Sequence, residues 1–119
     1  MPNRKPTLPN GTGGATGRRL WKSVVDEYEL DEHELALLVE AVRTVDALSA
    51  LDADVQRMGV LVESPQGRKA NPALVEARQQ RIALARLLAA LRLPSGDEAD
   101  GRPQRRVGVR GPHRLGSVS

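Results

Sequence analysis

The 119-residue chain has no cysteine and no phenylalanine, one tryptophan and one tyrosine. Without cysteine there is no disulfide framework and no thiolate metal site, and a reducing compartment such as the cytoplasm suits it. With two aromatic rings, any core is built almost wholly from Leu, Val and Ala. No apolar run approaches the ~18 residues of a membrane span, and no apolar block follows the basic N-terminus as a secretory signal requires. Catalytic groupings are thin. His33-Glu34 begins like a zinc-protease motif, yet Leu37 stands where the second histidine belongs. No Ser or Cys nucleophile has a plausible base, and carboxylates crowded from Asp26 to Glu34 suit a helix start better than acid–base work. No catalytic residue, metal site, cofactor or membrane contact is expected.

What the chain has is charge segregated along its length. All 15 acidic residues lie between Asp26 and Asp100, where only eight Lys and Arg occur. The first 25 residues hold five basic residues and no acid, and so do residues 101–119. An acidic body with two cationic ends points to a polyanionic partner, the plain alternative being solvated, unfolded ends.

The stretch Leu30–Met58 organises the rest. Asp31 is placed to cap a helix, Glu34 to complete a capping box, and Leu30 and Leu35 to staple it. Leu35, Leu38, Val42, Val45, Leu48, Leu51, Val55 and Met58 then recur in steps of three and four, one face of a helix roughly 40 Å long at 1.5 Å per residue. So long a stripe on so small a chain is expected to face a second copy through Leu38, Val42, Val45, Leu48, Leu51 and Val55.

Upstream, residues 1–16 are dense in Pro, Gly, Asn and Thr and read as a disordered tail. Gly11, Gly13, Gly14 and Gly17 do not make a phosphate loop, because Arg18 and Arg19 follow where Lys and Ser or Thr are needed. Leu20, Trp21, Val24, Val25 and Tyr28 give a short amphipathic helix, with both aromatics as core anchors rather than stacking platforms. Arg18, Arg19 and Lys22 lie near its other face at its positive end, where side-chain charge and free backbone N–H groups would both welcome phosphate.

Downstream, Gly59 ends the long helix, and Val60-Leu61-Val62, the turn Ser64-Pro65-Gln66-Gly67 and Arg68-Lys69-Ala70 read as a hairpin or extended loop. Asn71 and Pro72 open a last Ala- and Leu-rich helix whose row is Leu74, Ala77, Leu84, Leu88 and Leu91. Pro94-Ser95-Gly96 stops it, and residues 95–119 have no periodicity. The expectation is a mainly α protein: short N-terminal helix, long central helix, small β-hairpin or loop, C-terminal helix, and disordered basic tails.

The order Gly17-Arg18-Arg19-Leu20-Trp21, Tyr28 to Ala41, Thr44 to Leu51, the Gly59 hairpin, Asn71-Pro72-Ala73-Leu74 and Leu91-Arg92-Leu93-Pro94 resembles small terminase subunits of tailed bacteriophages, most nearly the P27 group. The resemblance covers about residues 17–94. Many relatives place an Arg shortly after the final Leu-x-Pro, and here Ser95 is followed by Gly-Asp-Glu-Ala-Asp instead. The resemblance implies a non-catalytic ring-forming homo-oligomer in the cytoplasm of a bacterial host. Such a subunit binds double-stranded viral DNA at the packaging start region and presents it to the large terminase subunit, which carries the ATPase and nuclease. DNA contact is then expected at Arg18, Arg19 and Lys22, helped by Arg4 and Lys5, and in the C-terminal tail at Arg105, Arg106 and Arg110. Two other readings stand beside it. One is a helical oligomeric adaptor that binds only proteins. The other is a small DNA-binding transcription regulator, disfavoured because Glu32 and Glu34 would meet the phosphates.

Overall fold

The computed structural model describes residues 5–93 and, further on, the backbone of Arg105 and Arg106. Three helices, α1 (Ala15–Val25), α2 (Glu32–Met58) and α3 (Pro72–Leu91), carry the fold. Strands β2 (Leu61–Ser64) and β3 (Gly67–Ala70) form a hairpin between α2 and α3, and the two-residue strand β1 (Tyr28–Glu29) pairs with β4 (Arg105–Arg106).

The start and stop of α2 are those its residues specify. The Asp31 side chain accepts from the first turn while the Asp31 N–H donates to Glu34 Oε1 at 2.7 Å, closing the capping box. Gly59 ends the helix at φ 91° and ψ 171°, a conformation open essentially to glycine alone. Its N–H still donates to the Val55 carbonyl at 2.7 Å.

From Gly59 the chain turns into the hairpin, a true antiparallel pair in which Leu61 faces Ala70 and Ser64 faces Gly67 across Pro65 and Gln66. Two strands alone are marginal, and these are tied at their base by Asn71. That residue is 3% exposed, the one buried polar side chain among the described residues. Its carboxamide accepts from Ala73 N at 2.9 Å, capping α3, and donates to the Gly59 carbonyl at 2.9 Å. Its own N–H reaches the Val60 carbonyl at 2.8 Å. Both polar ends of one side chain are used, so burial leaves neither unsatisfied.

Helix α3 runs back along α2. Arg81 meets Asp52 at 2.8 Å, and Leu91 joins Leu38 and Val42 in the core. The core closes at that end of the helical hairpin, where Trp21, Val24 and Val25 of α1 pack on the same residues. This corrects the expectation that Leu38, Val42 and Leu48 face a second chain. Leu38 and Val42 are 0% exposed and Leu48 is buried within the single chain, while Val45, Leu51 and Val55 are half-buried. The physical reason is that two elements of the same chain cover these residues, α1 through Trp21, Val24 and Val25 and α3 through Leu91. Among the described residues the large apolar side chains left outside are Val75 and Ile82, two turns apart on α3, Leu88 of the row expected to be buried, and Met58, Val60 and Leu61 at the hairpin.

Two other boundaries differ from the sequence reading. Helix α1 stops at Val25 rather than running on to Tyr28; the Asp26 and Glu27 N–H groups still reach Lys22 and Val24, and then the chain extends into β1. Residues 5–14, expected to be part of a disordered tail, are seated on the helices. Leu8 packs against the core, the Trp21 indole N–H donates to the Pro6 carbonyl at 3.2 Å, and Lys5 reaches Asp26. Composition weighs Pro and Gly against order, but a single leucine and one indole hydrogen bond suffice to anchor a short strap.

Leu38→Ala empties the most enclosed site in the core and is expected to cost about 2–5 kcal/mol, read as a lower urea midpoint at unchanged slope. Asn71→Ala should cost about 1–2 kcal/mol by removing the α3 cap. It should also raise hydrogen exchange in the hairpin, which a loss confined to the α3 cap would leave untouched.

Candidate nucleic-acid interface

The cationic cluster at α1 is positioned from its first residue. Gly14 is the N-cap and has no side chain to offer the orphan N–H groups of the first turn. A carboxylate from another helix supplies the acceptor. Asp46, midway along α2, takes the Gly14 N–H at 2.6 Å on one oxygen and the Gly17 N–H at 2.8 Å on the other. Ser49, one turn on, donates to the Thr16 hydroxyl at 3.2 Å. The expectation of free backbone N–H groups awaiting phosphate is thereby corrected: at Gly14 and Gly17 the anion position is filled from within. Gly17 is the close-approach residue, since a β-carbon there would lie 2.7 Å from Val42 Cγ1 and closer still to the Asp46 carboxylate.

With that seat taken, the side chains carry the positive surface. Arg18 and Arg19 are exposed, past the first turn of α1. Lys5 and Lys22 converge on Asp26 from two segments, at 3.0 Å and 2.6 Å. Hydrogen bonds first from Lys22 and then from Lys5 hold the Asp26 carboxyl below the usual carboxylate range. Both pairs are solvent-facing, so each adds little stability, and the ammonium groups stay accessible to a competing anion. Between residues 5–8 and α1 runs an open groove of about 380 Å³ with Lys5, Arg18 and Lys22 along it and Trp21, Leu8 and Val25 beneath. Trp21 is buried and its N–H is spent on Pro6, which makes it the core anchor expected of it.

Of the residues expected to touch DNA, the structure thus brings Lys5, Arg18 and Lys22 together and leaves Arg19 exposed beside them. Arg4 and Arg110 lie outside the described residues. Arg105 and Arg106 are placed as strand β4 against Glu29 and Tyr28, not at the α1 groove. Sequence reasoning missed Asp46. The available signal was a helix preceded by glycines, whose first turn needs a borrowed acceptor, and a lone carboxylate between Val45 and Ala47 on an otherwise apolar side.

Comparison with protein-family models, with curated proteins and with solved structures finds no match for this chain. Among the described residues no group of three or more His, Cys, Asp or Glu is placed to hold a metal ion, and no described helix is long and apolar enough to cross a membrane.

Gly17→Ala should force α1 off α2 and cost about 1–3 kcal/mol, whereas Asp46→Ala, which only removes the borrowed cap, should cost about 0.5–2 kcal/mol. Thermal melts of the two variants and the double variant check this. The double should fall short of the sum, because both act on one contact. Asp26 gives a pH effect of defined sign. Its carboxyl is lowered in the folded chain, so its contribution is present above the ordinary aspartate range and is lost as pH falls through the lowered value. Asp26→Asn should therefore flatten the acid limb of a plot of Tm against pH, and a limb identical to the parent's would refute it.

Proposed function

We propose that the chain is a non-catalytic DNA-binding subunit of the small-terminase type, which engages duplex viral DNA and hands it to the large terminase subunit. The observation that supports this most is the gathering of Lys5, Arg18 and Lys22 along one groove, with Arg19 exposed beside it, on a body that is otherwise acidic. Cations converging from two separate segments match a phosphate backbone, which is read by charge and spacing rather than by base identity. The resemblance of residues 17–94 to small terminase subunits adds the biological setting. Ring assembly belongs to the same proposal, with its contact surface moved off the buried Leu38, Val42 and Leu48 to the outward Val75 and Ile82 of α3 and to Val60 and Leu61 by the hairpin. Repetition of the groove around a ring would multiply individually weak phosphate contacts through effective concentration.

That same outward surface is what favours the second reading, an adaptor that meets only proteins. Exposed Val75 at 46% and Ile82 at 45% are apolar side chains a partner could cover.

Arg18→Ala/Arg19→Ala should weaken binding to all duplexes alike. It should also flatten the slope of log affinity against log salt, about −0.9 for each phosphate neutralised, by up to about two units per engaged subunit. Melting should be unchanged, because neither side chain is buried. An unaltered slope would defeat the placement, and absence of any duplex binding by the full chain would favour the adaptor. For assembly, Val75→Asp/Ile82→Asp should lower the mass seen by light scattering and leave helicity intact, whereas Leu48→Asp should unfold the chain.

A further inference from the structure

Between Asp26 and Glu34 the chain carries six carboxylates and neither lysine nor arginine. Asp26 is engaged by Lys5 and Lys22, and Glu34 by the Asp31 N–H. In the middle of this run the backbone extends as β1, and what it pairs with is basic. Tyr28 stands opposite Arg106 and Glu29 opposite Arg105 in antiparallel register. Main-chain hydrogen bonds fix such a register and opposite charges across the pair favour it.

The tether is favourable too. Leu93, just past α3, packs on the same core that Tyr28 and Leu30 join, so the chain leaves α3 from the core that β1 also borders. The eleven residues 94–104 can span at most roughly 40 Å. A tether of that length supplies an effective concentration on the order of millimolar, which makes a two-residue pairing worthwhile that would be negligible between separate molecules.

We infer that Tyr28–Glu29 is a docking edge for this chain's own basic C-terminal segment, and that docking withholds the segment's arginines from a polyanion. The inference rests on the DNA-binding reading only for the identity of that polyanion. Five arginines and no acid follow Asp100. While β4 is seated, its two arginines belong to a strand held on the acidic body, so a polyanion must release the strand before it can use them. Linkage then runs both ways: whatever binds the segment opens the edge, and whatever weakens the edge strengthens binding by the segment.

The absence of cysteine makes the test clean. Glu29→Cys with Arg105→Cys places thiols at paired positions. Glu29→Cys with Arg114→Cys removes the same charges but lies out of register. In the dilute full chain under a glutathione buffer, the paired variant should form its intramolecular disulfide faster by on the order of tenfold. A short duplex at low salt should slow it several-fold. Equal rates for the two variants would overturn the docking, and fast closure that neither duplex DNA nor heparin slows would overturn the withholding. Slowing by heparin but not by DNA keeps the withholding and removes the DNA reading instead. A second measurement needs no cysteine. Glu27→Gln/Glu29→Gln should tighten heparin binding more in the full chain than in a chain ending at Gly101. Equal gains in both lengths would mean that only net charge had changed, and would overturn the withholding.

Discussion

One carboxylate decides where the first helix begins and how close it lies to the second. Asp46 sits on α2, yet its two oxygens terminate the backbone of α1 at Gly14 and Gly17. A cap borrowed from a neighbouring helix fixes axial position and separation together, which a cap from the helix's own sequence cannot do. It also demands bare backbone on the other side, which is why glycine stands at Gly17, against Val42 and Asp46. Everything at the N-terminal end inherits that placement. Trp21 reaches the core because α1 is held low, and Arg18 and Lys22 stand along the groove because Trp21 lies beneath them.

The parts of this arrangement that were legible in the sequence are those set by local chemistry. The capping box at Asp31 and Glu34, the stop at Gly59, the turn at Pro65 and Gln66 and the cap at Asn71 each rest on residues within a few positions of one another. The apolar row of α2 was equally plain. Its destination was not, because periodicity gives a face and never a partner. Here the partners were α1 and α3 of the same chain, whose Trp21, Val24, Val25 and Leu91 enclose Leu38 and Val42. At the candidate site, sequence alone marked Arg18, Arg19 and Lys22, with Arg4 and Lys5 as helpers. It could not show Asp46 filling the helix end 29 residues from Gly17, or Lys5 crossing to Asp26 over a separation of 21. Long-range pairings between polar residues leave no period to detect. The strap at residues 5–14 went unread for a related reason, since its order comes from Leu8 and Pro6 meeting α1 rather than from any pattern of its own.

Charge in this molecule is folded back on itself. A tally along the sequence separates a basic beginning, an acidic middle and a basic end. In space, Lys5 and Lys22 rest on Asp26, and Arg105 and Arg106 lie as a strand on the Tyr28–Glu29 edge. The segment from Asp26 to Asp31 thus receives basic chain from both directions. Net charge alone would describe a weakly cationic protein. At Asp26 the structure shows opposed charges already in contact, which any outside polyanion must compete with rather than simply approach.

The position of Leu91 sets the order in which the protein can be finished during synthesis. It is 1% exposed and packs with Trp21, Val24, Val25, Leu38 and Val42. These partners are translated first and Leu91 last, so α1 and α2 can pack on each other while the place Leu91 fills stays open until the far end of α3 arrives. Hairpin formation between β2 and β3 needs nothing later than Asn71, which ties its base, and can precede that event. A nascent chain of this kind keeps one apolar opening in its core until α3 is complete, a natural window for chaperone capture or for meeting a sister chain on the same messenger.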